Sequence, residues 1–125
     1  MSATIKTVGV CGAGGTMGAG IAIVAARSGY SVICYDTAEA PLTKTVKQTE
    51  GFFQKSVERG KMSATERDAV LGRFERTTDI GRLAACDLVI EAVFEDLAVK
   101  RKLLGQLAAV CREDTIFGSN TSTLS

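Results

Sequence analysis

Histidine is absent from these 125 residues, and the four cysteines, Cys11, Cys34, Cys86 and Cys111, show no CxxC spacing. Those two facts remove the ligand sets from which compact metal sites are usually built, so no metal is expected. Long apolar runs are missing too, and none approaches the roughly 20 residues that cross a bilayer as a helix. The opening Met-Ser-Ala-Thr-Ile-Lys lacks the charged region and following apolar stretch of a secretory leader. Charge of one sign is not in excess: fifteen Lys and Arg stand against fourteen Asp and Glu, for a net +1. The two signs are interspersed, which argues against a nucleic-acid or membrane-surface partner. No internal repeat or low-complexity linker divides the chain, and its length fits one domain that buries roughly two-thirds of its unfolded surface. Cys11 and Cys34 fall in apolar segments where a thiol behaves as a small hydrophobe, and a reducing, cytoplasmic setting suits them.

What is present is concentrated between residues 8 and 36. A short apolar strand over 5–11 runs into a glycine-rich turn, an apolar helix over about 16–28, a second strand over 30–35 and a terminal acid, Asp36. That order outlines a dinucleotide-binding βαβ unit. The turn must bend sharply and let its backbone approach a pyrophosphate closely, and Gly12, Gly14, Gly15 and Gly18 supply that freedom. The helix, opening at Thr16 and Met17, would aim its N–H groups and positive dipole end at the phosphates. The usual GxGxxG spacing is not kept. It can be laid on Gly12, Gly14 and Gly18 with one extra residue, or on Ala13, Gly15 and Gly18 with the first glycine lost; the first register is preferred because Gly12 directly ends the strand. A glycine turn that binds nothing is the plainer alternative.

Asp36 shifts the balance toward binding. It lies 18 residues after Gly18, where an acid bonds the adenine-ribose hydroxyls, and the next cation along the chain is Lys44. A 2′-phosphate within about 4 Å of that carboxylate would meet repulsion of roughly 4 kcal/mol per unit charge, which disfavours NADP by a factor of about a thousand. The expected cofactor is NAD.

From residue 37 to 59, Leu42, Val46, Phe53 and Val57, with Thr49 between, mark one face of a helix, and Pro41 is tolerable only in its first turn. Gly60 should end it, and Ser63-Ala-Thr-Glu66 reads as a capping box that starts another, giving a helical hairpin over about 37–74. Lys55, Arg59 and Lys61 surround its tip, either as a solvated charged face or as a contact for an anionic ligand. A short strand is expected near 76–78. Residues 87–93 form a nearly continuous apolar strand, as a sheet buried on both faces requires. Glu91 is the anomaly there, placed either near the cofactor or satisfied by backbone N–H groups. Val99, Leu103, Leu107 and Val110 stripe the next helix, and 115–119 makes a fifth strand. The sum is an α/β fold, a Rossmann-like doubly wound, mostly parallel sheet of order 3-2-1-4-5, which these residues leave before its end. Ligands in such sheets bind beyond the carboxyl ends of the strands.

Four segments then carry a resemblance: Gly-Ala-Gly-Gly-Thr-Met-Gly-Ala-Gly-Ile-Ala from Gly12, Tyr35-Asp36, Val-Ile-Glu-Ala-Val-Phe-Glu-Asp-Leu-Ala-Val-Lys ending at Lys100, and Ser-Asn-Thr-Ser-Thr-Leu-Ser ending at Ser125. In collinear order along the chain they resemble the NAD-binding domain of 3-hydroxyacyl-CoA dehydrogenases, with the additional glycine as the departure. The resemblance implies reversible hydride transfer between C3 of a 3-hydroxyacyl-CoA and NAD. It implies that Asp36 holds the adenosine ribose, that Glu95 and Lys100 contact the nicotinamide side, and that Asn120 and Ser122 position the substrate oxygen; Arg59 is a candidate substrate contact only through the charge at the hairpin tip. From the residues alone, Glu95 and Lys100 read as a solvated pair near a helix start, and Asn120 and Ser122 as turn chemistry. The family's base is a histidine paired with a glutamate, and this chain has no histidine; the resemblance places that base, and a helical domain forming a homodimer, after residue 125. The fragment alone is therefore expected to be inactive. A stand-alone NAD-binding or sensor module, and a dehydrogenase of a non-CoA 3-hydroxy acid, are the alternatives.

Overall fold

The computed structural model describes residues 4–93 and 97–119. Five strands form one sheet: β1 (Thr7–Cys11), β2 (Ser31–Tyr35), β3 (Phe74–Thr77), β4 (Leu88–Glu91) and β5 (Ile116–Ser119), in the order β3-β2-β1-β4-β5. Every pairing is parallel, with Val8 opposite both Val32 and Leu88. The order is the one expected from alternating strands and right-handed crossovers.

Helices cover the two faces unequally. Along β1 and β2, Val8, Val10, Val32 and Cys34 point to one side and Cys11, Ile33 and Tyr35 to the other, the period of two that a pleated strand imposes. The first side meets α1 (Thr16–Arg27), α2 (Glu39–Glu58) and α3 (Ala64–Leu71), through Ala22, Ala26, Leu42, Phe53 and Val70. The second meets α4 (Leu97–Val110) through Leu103 and Leu107, together with a 3₁₀ segment, Ile80–Ala85, that brings in Leu83. Sequence periodicity gave no sign of that segment.

The local signals act as written. Pro41 is the third residue of α2, inside its first turn, where its missing N–H costs nothing. Ser63 Oγ accepts from the Glu66 N–H at 3.0 Å and Glu66 Oε1 accepts from the Ser63 N–H at 3.2 Å, closing the capping box. Gly29 and Gly60 follow α1 and α2 with positive φ.

Several boundaries and one helix face differ from expectation. β3 begins at Phe74, earlier than expected, and β4 is shorter than 87–93 at both ends, with Asp87 before it working as a staple. Its Oδ2 accepts from the backbone N–H groups of Lys6 and Thr7 at 2.9 and 3.0 Å, and its Oδ1 takes the Arg112 guanidinium at 2.7 Å. In α4 the buried residues are Lys100, Leu103 and Leu107, while Val99 is exposed. In α2, Thr45 joins Leu42, Thr49 and Phe53 in burial, because its hydroxyl donates to the Leu42 carbonyl at 2.7 Å and so enters the core satisfied. The outer edge of β5 has no neighbouring strand among the described residues, and its Ile116 and Phe117 are each nearly half exposed.

Candidate cofactor site

The carboxyl ends of β1, β2 and β4 meet at the point where the chain leaves β1 toward α1 on one face and β4 toward α4 on the other. A crevice at such a switch point is where ligands of open α/β sheets bind. The turn after β1 is pinned first by the sheet: the N–H groups of Gly12 and Ala13 both donate to the Tyr35 carbonyl, at 3.0 and 3.1 Å. Gly12 then adopts φ +82°, a conformation open to glycine, with its backbone against the Ala92 carbonyl.

Three glycines of the turn have no room for a side chain. A Cβ at Gly12 would stand 2.8 Å from the Ala92 oxygen; one at Gly18 would meet the Gly12 carbonyl; one at Gly14 would meet Pro41 and lie 2.7 Å from Asp36 Oδ2. Gly15 is different, since its Cβ would make only an ordinary 3.5 Å contact with the Gly12 oxygen. The close-packed set is thus Gly12, Gly14 and Gly18, with Gly15 the residue that packing does not require. Gly15 is also the N-cap of α1, and no side chain caps it; no acid stands in the helix's first turn. Thr16 and Met17 open the helix, both exposed.

Asp36 sits directly on this turn. Its Oδ2 accepts from the Gly14 N–H at 2.8 Å and its Oδ1 from the Thr37 N–H at 2.8 Å. With Thr37 it forms one wall of a cavity of about 250 Å³, faced by Val99, Lys102, Leu103 and Gln106 of α4. Directly beneath, burial pushes the Cys11 thiol up to about 12, so it stays protonated and inert under the crevice.

Lys100 lies elsewhere. Its side chain is nearly fully buried, its Nζ 3.8 Å from Glu91 Oε1, and Glu91 also accepts from the Ser119 hydroxyl at 2.9 Å and, through Oε2, from the Val93 N–H at 2.8 Å. The solvated lysine that the residues alone suggest is therefore corrected: the first turn of α4 rotates Lys100 inward and Val99 outward. Glu91 accepts from a backbone N–H, as one of its two readings expects, with a hydroxyl and an ammonium added.

Arg59, just past the end of α2, shares a cavity of about 220 Å³ with Arg27, Phe52, Ser56, Lys61 and Met62. Arg27 ends α1, so this cavity is separated from the glycine turn by a twelve-residue helix, about 18 Å long. Glu95, Asn120 and Ser122 lie outside the described residues. Lys102 and Gln106 escaped sequence reasoning. Their spacing with Val99 and Leu103, at i, i+3, i+4 and i+7, was the available signal, masked because Val99 was assigned to the core stripe.

These features suit a dinucleotide: a turn too tight for side chains, an uncapped helix start and a carboxylate at the adjoining strand end. The model of the family "3-hydroxyacyl-CoA dehydrogenase, NAD binding domain" matches residues 7–125. The chain belongs to that family. It is 45% identical over 125 residues to a 3-hydroxyadipyl-CoA dehydrogenase of Escherichia coli K12, covering all of this chain and 26% of that protein. To a 3-hydroxybutyryl-CoA dehydrogenase of Mycobacterium tuberculosis it is 42% identical, covering 99% of this chain and 43% of the relative. The crystal structure of a 3-hydroxybutyryl-CoA dehydrogenase from E. coli superposes with a TM-score of 0.94 at 45% identity, over 98% of this chain and 26% of that one. The chain thus spans between about a quarter and less than half of the length of these relatives. Among the described residues, no group of His, Cys, Asp and Glu could hold a metal, and no helix is long and apolar enough to cross a membrane.

Proposed function

We propose that this chain is the cofactor-holding part of an NAD-dependent oxidoreductase that interconverts 3-hydroxyacyl-CoA and 3-oxoacyl-CoA. The observation that carries the reading is the packing of Gly12, Gly14 and Gly18 against the backbone, Pro41 and Asp36, which sets a close-packed glycine turn beside the strand-end carboxylate at the start of α1. The loop and the start of α1 hold the pyrophosphate, and Asp36 the adenosine ribose. Glu95 and Lys100 serve the nicotinamide side, Lys100 from its buried pairing with Glu91. Asn120 and Ser122 orient the substrate's C3 oxygen. The cations Arg27, Arg59 and Lys61 around one cavity support a contact of Arg59 with the anionic groups of a CoA thioester. When bound, NAD supplies the hydride acceptor for C3.

The hydroxyl proton needs a base, and a neutral serine hydroxyl such as Ser122 does not serve at pH 7. A histidine outside these 125 residues fills that role in our reading, along with a helical domain through which the whole protein forms a homodimer. Fatty-acid β-oxidation in the cytoplasm is the setting we assign.

Fluorescence titration of the purified 125-residue chain with NADH tests the cofactor reading, and saturable binding is expected. With acetoacetyl-CoA added, no NADH oxidation above background is expected, since general acid–base catalysis worth about 10²–10⁴-fold is missing. Absence of NADH binding would overturn the cofactor reading. Robust oxidation by the short chain would overturn the placement of the base.

A further inference from the structure

Counted along the sequence, Asp36 has no cation near it, and a 2′-phosphate at its position would meet repulsion alone. The folded chain is different. Asp36 and Thr37 form one wall of the 250 Å³ cavity, and Val99, Lys102, Leu103 and Gln106 form the wall opposite. Leu103 is buried in the core, which fixes the rotation of α4 and obliges Lys102, one position before it, to stand at the cavity rim with Gln106 a turn further on. Both polar side chains are exposed. Val99 and Leu103 give that wall apolar surface suited to a planar base, while an acid stands on one side of the cavity and an ammonium and an amide on the other.

We propose that Lys102 is a cofactor-selectivity residue that partly offsets Asp36, so that this chain discriminates against the 2′-phosphate of NADPH less than its strand-end acid alone would dictate. The inference rests on the reading of this cavity as the adenosine site. A cavity of this volume is about 8 Å across, and a unit charge at that distance changes affinity for one phosphate charge by between about twofold and thirtyfold, depending on how much water screens it. The effect falls on the extra phosphate. The ribose hydroxyls of NADH are neutral and bond Asp36 itself, so their recognition does not depend on a cation across the cavity. Salt weakens the contribution, because the ammonium is exposed.

NADH and NADPH titrations of the unmodified chain, Lys102→Glu and Lys102→Arg, followed by cofactor fluorescence at low and high salt, provide the test. Lys102→Glu is expected to lower NADPH affinity at least fivefold more than NADH affinity, Lys102→Arg to keep the unmodified ratio, and added salt to shrink the difference. A ratio unmoved by Lys102→Glu would overturn the proposal, as would an equal loss for both cofactors, which would place the lysine on a group the two share. Failure of the unmodified chain to bind NADH at all is a separate result, and it would remove the adenosine-site reading rather than the role of Lys102 within it.

Discussion

The Lys100 ammonium stands 3.8 Å from the Glu91 carboxylate, with both side chains almost fully withdrawn from water. Because Glu91 ends β4, Lys100 lies in the first turn of α4 and Ser119 ends β5, the carboxylate ties three elements at the carboxyl edge of the sheet. Removing one member of a buried ion pair leaves the other charge uncompensated, at a cost of about 3–5 kcal/mol. Lys100→Met should therefore destabilise the chain by about that amount in urea unfolding, and Glu91→Gln combined with Lys100→Met should recover part of it. Additive losses in the double variant would argue against coupling.

The glycine turn yields a contrast between neighbours. Gly14→Val should abolish NADH binding, since its Cβ meets Pro41 and the Asp36 carboxylate, while circular dichroism still reports a folded chain. Gly15→Ala should cost less affinity than Gly14→Val, because within the chain that position has room and an ordinary φ of −90°. If the two variants behaved alike, the close-packed set would be wrongly drawn.

Asp36→Ala should narrow the preference for NADH over NADPH by removing both the ribose acceptor and the negative charge. It also strips the Gly14 and Thr37 N–H groups of their acceptor, so a smaller second effect, weaker binding of both cofactors, is expected from a loosened turn. Paired titrations separate the two contributions.

Asp87 gives the stability a definite pH dependence. The Arg112 guanidinium, with the Lys6 and Thr7 N–H groups, holds its carboxyl down at about 2, below the ordinary 3.8. A folded-state value depressed in this way contributes stability that is fully present above the unfolded value and is lost as pH falls toward 2. Asp87→Asn should be less stable than the parent at pH 7 and nearly equal to it at pH 2, measured by urea denaturation at each pH. A constant gap across that range would show that the carboxylate's charge is not what matters.

The parts of the fold that could be read directly were those fixed by local chemistry. Gly12 ends a strand, and Ser63 and Glu66 cap a helix. Parallel order followed from the crossovers. What escaped was the rotation of α4 and everything dependent on it. An apolar stripe counted from Val99 and one counted from Lys100 fit the same leucines, and the choice is made by Glu91 on a different strand, which provides Lys100 with a buried partner. Lys102 and Gln106 at the Asp36 cavity were hidden for the same reason. Glu95, Asn120 and Ser122 fall outside the described residues, so their part of the site rests on the family resemblance.

The outer edge of β5 carries a further consequence for handling the molecule. On the side of β5 away from β4, no strand stands among the described residues, and two half-exposed apolar side chains, Ile116 and Phe117, lie on this edge strand. Addition of a second chain at such an edge is bimolecular, whereas closure of the sheet's own registers is unimolecular. Refolding yield is therefore a competition of reaction orders, falling as protein concentration rises.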